Sequence, residues 1–236
     1  MQEGDMVHLL LRLLVLPCVL LVSTGLRAQH DAPGPCAEGP ALYAAGQLKQ
    51  AFRVFFGCAI AGDGASQYSA AMMMRSGESN DDGFANPYGA RVFLEQSAAQ
   101  GYAQAIYTLG VEFDRGSPAF ARSPQRATDL FLQAALLGHV DAHVDLGTPY
   151  LLGPGGVPQD DAAAARWYEL AATAGHWGAQ YLIASMYEHG NGVRRDEQLA
   201  LRWYERAKAG GDEVAPLKVE QLRLRIATRT RQMRLH

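Results

Sequence analysis

The stretch Ala164–Val193, AARWYELAATAGHWGAQYLIASMYEHGNGV, decides the fold. Its first part carries Ala164, Trp167, Tyr168 and Ala171, and its second part carries Ala179, Ile183, Ala184 and Tyr187. Spacings of three and four place each set on one face of an α-helix, and the small residues let two helices approach closely. Gly175 stands between the two sets, and Gly190-Asn191-Gly192-Val193 follows the second. The stretch thus reads as the second helix of one hairpin, a glycine turn, and the first helix of the next.

Working outward, the same pattern recurs every 37 residues: Gly101, Gly138 and Gly175 are evenly spaced, as are Ala105, Ala142 and Ala179. The first helix of each unit (helix A) reads Ala105-Leu109-Gly110-Phe113, Ala142-Leu146-Gly147-Tyr150 and Ala179-Ile183-Ala184-Tyr187. The second (helix B) reads Ala127-Leu130-Phe131-Ala134, Ala164-Trp167-Tyr168-Ala171 and Ala200-Trp203-Tyr204-Ala207. A more diverged unit precedes them, with Tyr68, Ala71, Met74 and Gly77 in helix A and Ala90, Phe93, Leu94 and Ser97 in helix B. A repeat of this length is the signature of a helical solenoid. The joining segments 153–160 and 190–196 run from a glycine stop to an Asp, Asp160 or Asp196, that is placed to cap the next helix.

Helix A, a glycine-bounded loop with Gly-Val, helix B with Ala-x-x-Trp-Tyr-x-x-Ala and a closing Ala-Gly-His together resemble the Sel1-like repeat family, which is similar to tetratricopeptide-type repeats. The resemblance covers about two thirds of the chain and is closest over residues 139–211; the unit 102–138 departs from it at Ser117-Pro118-Ala119-Phe120, where Gly-Val is expected. It implies an all-α, right-handed solenoid of stacked hairpins. The expected organisation is a signal peptide (1–28), a linker (29–35), an N-terminal capping hairpin (36–62), repeats at 63–101, 102–138, 139–175 and 176–211, and a C-terminal capping helix with a basic tail (212–236).

Residues Leu9 to Leu26 form an apolar stretch with Arg12 as its one charge, followed by Arg27-Ala28-Gln29. This reads as a secretory signal cleaved after Ala28, too short to span a membrane stably. Glu3 and Asp5 do not suit its positive first segment, and a start at Met6 would remove them. The mature chain then belongs in the periplasm with two cysteines, Cys36 and Cys58. Cys58 shares a helix B column with Ser97, Ala134, Ala171 and Ala207, and an antiparallel hairpin brings Cys36 beside it. A disulfide there would contribute about 3 kcal/mol; two buried free thiols are the alternative.

With 21 basic and 24 acidic residues the chain has no field to attract nucleic acid, and no nucleic-acid partner is expected. The end is an exception: Lys218, Arg223, Arg225, Arg229, Arg231 and Arg234 face only Glu220. It reads either as a solvated cap or as a surface for an acidic partner. Catalytic signatures are missing: no Gly-x-Ser-x-Gly, His-Glu-x-x-His, Ser-x-x-Lys or phosphate-cradling loop. Some relatives in the family have been discussed as β-lactamases; this chain offers no such nucleophile, which leaves a β-lactamase-like hydrolase as the distant alternative. His139, Asp141 and His143 sit in repeat columns and read as structural, and Asp81-Asp82 as solvated loop. No cofactor or metal is expected, and the chain reads as a non-enzyme.

The candidate binding groove comes from helix A columns beside the buried stripe. One column is Tyr68, Tyr107, Val144 and Tyr181; a second is Met72, Val111, Thr148 and Ser185. Beyond them lie Arg75, Asp114, Leu151 and Glu188, then Ser76, Arg115, Leu152 and His189. Recurring tyrosines suit a protein interface, although the same column suits packing between helices. Pro149 falls inside a helix A and is expected either to kink it or to cost its last turn, with a shaped groove at 148–152 as the sharper option. Among secreted bacterial relatives the resemblance implies three roles for such a surface: immunity protein against a toxin delivered by type VI secretion, such as a lipase; envelope adaptor; or periplasmic regulator of a signalling or polysaccharide-export system.

Overall fold

The computed structural model describes residues 35–79, 83, 85–153 and 158–233. The signal-peptide reading of residues 1–28, the linker to residue 34, Asp81-Asp82 and Arg234 fall outside them. Among the described residues, a 3-10 turn (Pro35–Ala37) precedes eleven α-helices, and no strand forms. They are α1 Glu38–Ala44, α2 Leu48–Ile60, α3 Gly64–Ser76, α4 Pro87–Ala99, α5 Ala103–Arg115, α6 Pro124–Leu136, α7 Val140–Leu152, α8 Asp161–Thr173, α9 Trp177–His189, α10 Glu197–Ala209 and α11 Ala215–Met233. Helices α3 to α10 form four A–B hairpins that pack in chain order, each helix against its predecessor and its successor.

Each helix from α2 to α10 is 13 residues long, so a residue's position within its helix identifies its column in the repeat. The alanine and aromatic columns of both helices form the core; Tyr168, Ile183, Tyr204 and Leu222 are essentially sealed from solvent. In α7 the Leu-Gly pair has a steric reason. A Cβ on Gly147 would lie 2.9 Å from the ring of Tyr168 and 3.2 Å from Trp167 Cβ, so a glycine admits the aromatic pair of helix B. Gly192 serves a different contact: it takes a φ of +67°, and a Cβ there would collide with the backbone of Asp161.

The A-to-B connections differ in length and sequence yet close on one backbone bond. The N–H of the residue that precedes helix B donates to the eleventh residue of helix A: Asn86 to Met74, Ser123 to Phe113, Asp160 to Tyr150 and Asp196 to Tyr187, at 2.7–2.9 Å. Asp160 caps α8 by accepting from Ala163 N–H, and Asp196 caps α10 by accepting from Gln198 and Leu199 N–H. Both capping aspartates thus stand where the sequence placed them.

Of the two outcomes expected at Pro149, the loss of the last turn does not occur. Helix α7 keeps all 13 residues and its last turn, and the Pro149 carbonyl accepts from Gly153 N–H at 2.8 Å. The bond that proline deletes is the one to the Asp145 carbonyl one turn back, and the helix tolerates that loss. At the N-terminus, Cys36 and Cys58 form a disulfide with a Cα–Cα distance of 5.9 Å, tying the 3-10 turn to α2. At the other end α11 is a continuous helix to Met233 whose Val219 and Leu222 pack into the core of the last hairpin.

Candidate protein-binding site

Helix A positions 5, 9, 12 and 13 carry the residues assigned to the groove, and the structure divides them between seams and open surface. Tyr107 is half-buried: its ring stacks on His139 at 4.1 Å between centroids and lies 5.7 Å from Phe131. Its hydroxyl sits near the Asp145 carboxylate, and burial, reinforced by that negative charge, pushes the phenol well above its ordinary range. Burial likewise raises Asp145. Tyr68 packs on Tyr102 at 5.5 Å, and Tyr181 packs edge-on against Tyr204 at 5.2 Å. The three tyrosines are each partly exposed and make these packing contacts between helices. Val144 also packs against the core cluster that runs from α8 to α11, and Thr148 hydrogen-bonds back to the Val144 carbonyl at 2.9 Å.

Two of the charged groove residues are likewise engaged internally. Arg75 Nη1 pairs with Glu112 of the next helix A at 3.0 Å. Glu188 is 7% exposed and accepts from Arg225 (2.6 Å), Tyr204 (2.9 Å) and Lys218 (3.3 Å). Burial alone would raise the Glu188 carboxyl, but these three hydrogen bonds carry it below its ordinary value. Glu188 is thus sealed beneath α11 and presents no open groove surface. Ser185 and His189 contact each other within α9.

The same contacts account for the basic C-terminus. Arg225 also reaches Glu197 at 3.3 Å, Arg229 joins it at 3.0 Å, and Arg223 pairs with Glu205. Glu197 is buried and takes a further bond from Arg195. Most of the basic excess thus compensates acidic groups of the last hairpin.

An open cleft lies at the seam between the first two repeats. A cleft of about 340 Å³ is lined by Met72, Arg75, Val111 and Arg115 from the assigned columns, together with Ala90, Arg91 and Leu94 of α4. Its far wall is the segment Gly116–Phe120, the place where this repeat lacks Gly-Val. Ser117 and Phe120 exchange backbone hydrogen bonds at 2.9 and 3.0 Å, which makes the segment a tight turn. Ala119 and Phe120 are buried; Phe120 meets Phe113 edge-on at 5.2 Å, and the Arg91 guanidinium lies 5.0 Å above its ring. Arg91 also donates to the Ala119 carbonyl at 2.8 Å. Arg115 is exposed, with no hydrogen-bonded or ion-paired side chain among the described residues. Asp114, beside it, is exposed, and its carbonyl accepts from Arg122.

Sequence columns found four residues of this cleft and missed Glu112, Arg91 and Phe120. The one available signal was the break in the repeat at 117–120. His139 bonds Gln104 at 2.9 Å, His143 lies 3.1 Å from the His139 carbonyl, and His176 caps α9 and lies 3.5 Å from Asp141. No group of three or more metal-capable side chains occurs among the described residues. No described helix is long and apolar enough to cross a membrane.

Comparison with known proteins places this geometry. The Sel1 repeat model matches residues 64–102, 103–139, 140–176 and 177–212. A chitin synthase regulator of Malassezia restricta is 33% identical over 101 residues, covering 42% of this chain and 7% of the relative. Chitin synthase regulatory factor 3 of Schizosaccharomyces pombe is 34% identical over 100 residues, covering 42% and 11%. The chain thus spans only a small part of these fungal relatives. Among solved structures, a Sel1 repeat protein from Oxalobacter formigenes superposes with a TM-score of 0.67 at 23% identity, covering 79% of this chain and 75% of that one. The immunity protein Pa5087 of Pseudomonas aeruginosa superposes with a TM-score of 0.50 at 20% identity, covering 83% and 74%. Four contiguous matches over hairpins whose helices, caps and seams repeat in register mean that this chain belongs to the Sel1 repeat family, whose α-solenoids are scaffolds for protein–protein contacts.

Proposed function

We propose that this chain is a non-enzymatic, protein-binding solenoid of the bacterial periplasm, and that its specific role is immunity: it binds and neutralises a secreted toxin such as a type VI lipase. The observation that carries the binding reading is the cleft between the first two repeats, where Met72, Val111 and Leu94 line a cavity that is open among the described residues. An inhibitor needs only a rigid surface to cover an active site, and a disulfide-tied, capped solenoid supplies one. The periplasmic assignment comes from the apolar segment Leu9–Leu26 and from the Cys36–Cys58 disulfide, which suits an oxidising compartment. The immunity protein of similar fold supports the role only by analogy of architecture.

Contact-dependent competition tests it. Cells lacking this chain should be killed by toxin-delivering sister cells, and the full chain, but not one lacking residues 1–28, should rescue them. Survival without the chain would remove the immunity role. A second reading, regulation of a polysaccharide-synthesising or exporting system, is favoured by the names of the fungal relatives. Under it the tagged mature chain would retain a membrane synthase or exporter instead of a toxin.

A further inference from the structure

We infer that the cleft between the first two repeats recognises a partner segment carrying a carboxylate next to a large apolar side chain. This rests on the protein-binding reading above and adds the chemistry of the ligand. Among the described residues, three arginines and one glutamate line the cleft, so positive charge exceeds negative. Glu112 is already engaged by Arg75 through Nη1, and Arg75 remains nearly half exposed. Arg91 spends Nε on Glu95 and Nη1 on the Ala119 carbonyl, and lies over Phe120 as part of the wall. Arg115 is exposed at the rim and makes no hydrogen bond or ion pair among the described residues, with the Asp145 carboxylate of α7 within electrostatic range. A carboxylate that reaches Arg115 and the free edge of Arg75 gains charge-assisted hydrogen bonds, while a basic side chain there meets repulsion. Met72, Val111 and Leu94 supply the apolar half beside these groups.

The wall differs from the fully described connection of the last repeat. In the last repeat Gly192 keeps the turn against the backbone of the preceding helix B, whereas here Ser117–Phe120 forms a self-bonded turn wedged under Arg91. The repeat therefore departs from its own pattern at the place where the open cleft is built.

The test is selection from a displayed library of random decapeptides against the full chain, followed by fluorescence anisotropy of synthetic winners. The expected winners carry Asp or Glu beside Leu, Ile, Phe or Met. Asp→Asn in the peptide, or Arg115→Gln in the protein, should weaken binding about tenfold, and added salt should weaken it further. Val111→Asp should abolish binding while thermal unfolding shows the fold retained. Winners without acidic preference that still lose binding on Val111→Asp would overturn this inference and leave the binding cleft standing. No enrichment, or binding indifferent to both substitutions, would overturn the cleft as a binding site altogether.

Discussion

Glu188 illustrates what a single residue's column does and does not say. Counting by the repeat places it at position 12 of helix A with Arg75, Asp114 and Leu151, and the structure keeps that register. What the count lacks is the next element: Arg75 meets Glu112, and Glu188 meets α11, a helix outside the repeat. Because the folded Glu188 carboxyl lies below its unfolded value, its contribution is present above the unfolded pKa and is lost as pH falls through the folded one. Glu188→Gln should therefore cost about 2 kcal/mol at neutral pH. In urea unfolding the gap between variant and parent should narrow as the pH falls below the ordinary carboxylate range; a gap independent of pH would refute the ionic account. Gly147 offers a steric counterpart. Gly147→Val places methyl groups into space already closed by Tyr168 and Trp167, and overpacking of this kind costs about 1–3 kcal/mol, read as a lowered melting temperature.

Among the elements, helices were legible because their signal is redundant. Alanine and aromatic columns and glycine stops agree over α5–α10, aspartate caps add to them at α8 and α10, and even Pro149 does not outweigh them. The segment Gly116–Phe120 was legible only as a departure, since a turn that occurs once has no column to compare. Its stability comes from Phe120, 4% exposed and held between Phe113 and Arg91. Phe120→Ala should cost about 3–5 kcal/mol and loosen the wall, so that hydrogen exchange rises at residues 117–120 and the cleft loses its ligand. Unchanged exchange there would mean that the mutual Ser117–Phe120 backbone bonds suffice. At the N-terminal hairpin, where α1 has only 7 residues, reduction of Cys36–Cys58 should cost about 3 kcal/mol. The loss should appear as local exchange in α1 and α2 before any change in α5–α10.

For the whole molecule, a solenoid is stabilised by neighbours, so its ends decide how much of it folds. The sequence pointed to α11 as a cap but not to how it holds, because Lys218, Arg225 and Arg229 look solvent-bound until Glu188 and Glu197 are found beneath them. The cap combines apolar and ionic parts: Val219 and Leu222 pack into the core with Ile183 and Tyr204, and the arginines neutralise two buried carboxylates. Deleting residues 215–233 would expose the apolar columns of α9 and α10 and leave Glu188 and Glu197 without these cationic partners. In a globular core such a loss unfolds everything together; in a nearest-neighbour array it is felt most at the adjacent hairpin. Hydrogen exchange of the truncated chain should therefore lose protection in α9–α10, retain it in α3–α6, and leave peptide binding at the first seam within about twofold of the full chain. Uniform loss of protection would mean that the four repeats fold as one cooperative unit, and that the cleft depends on a cap beyond the α7–α8 and α9–α10 hairpins.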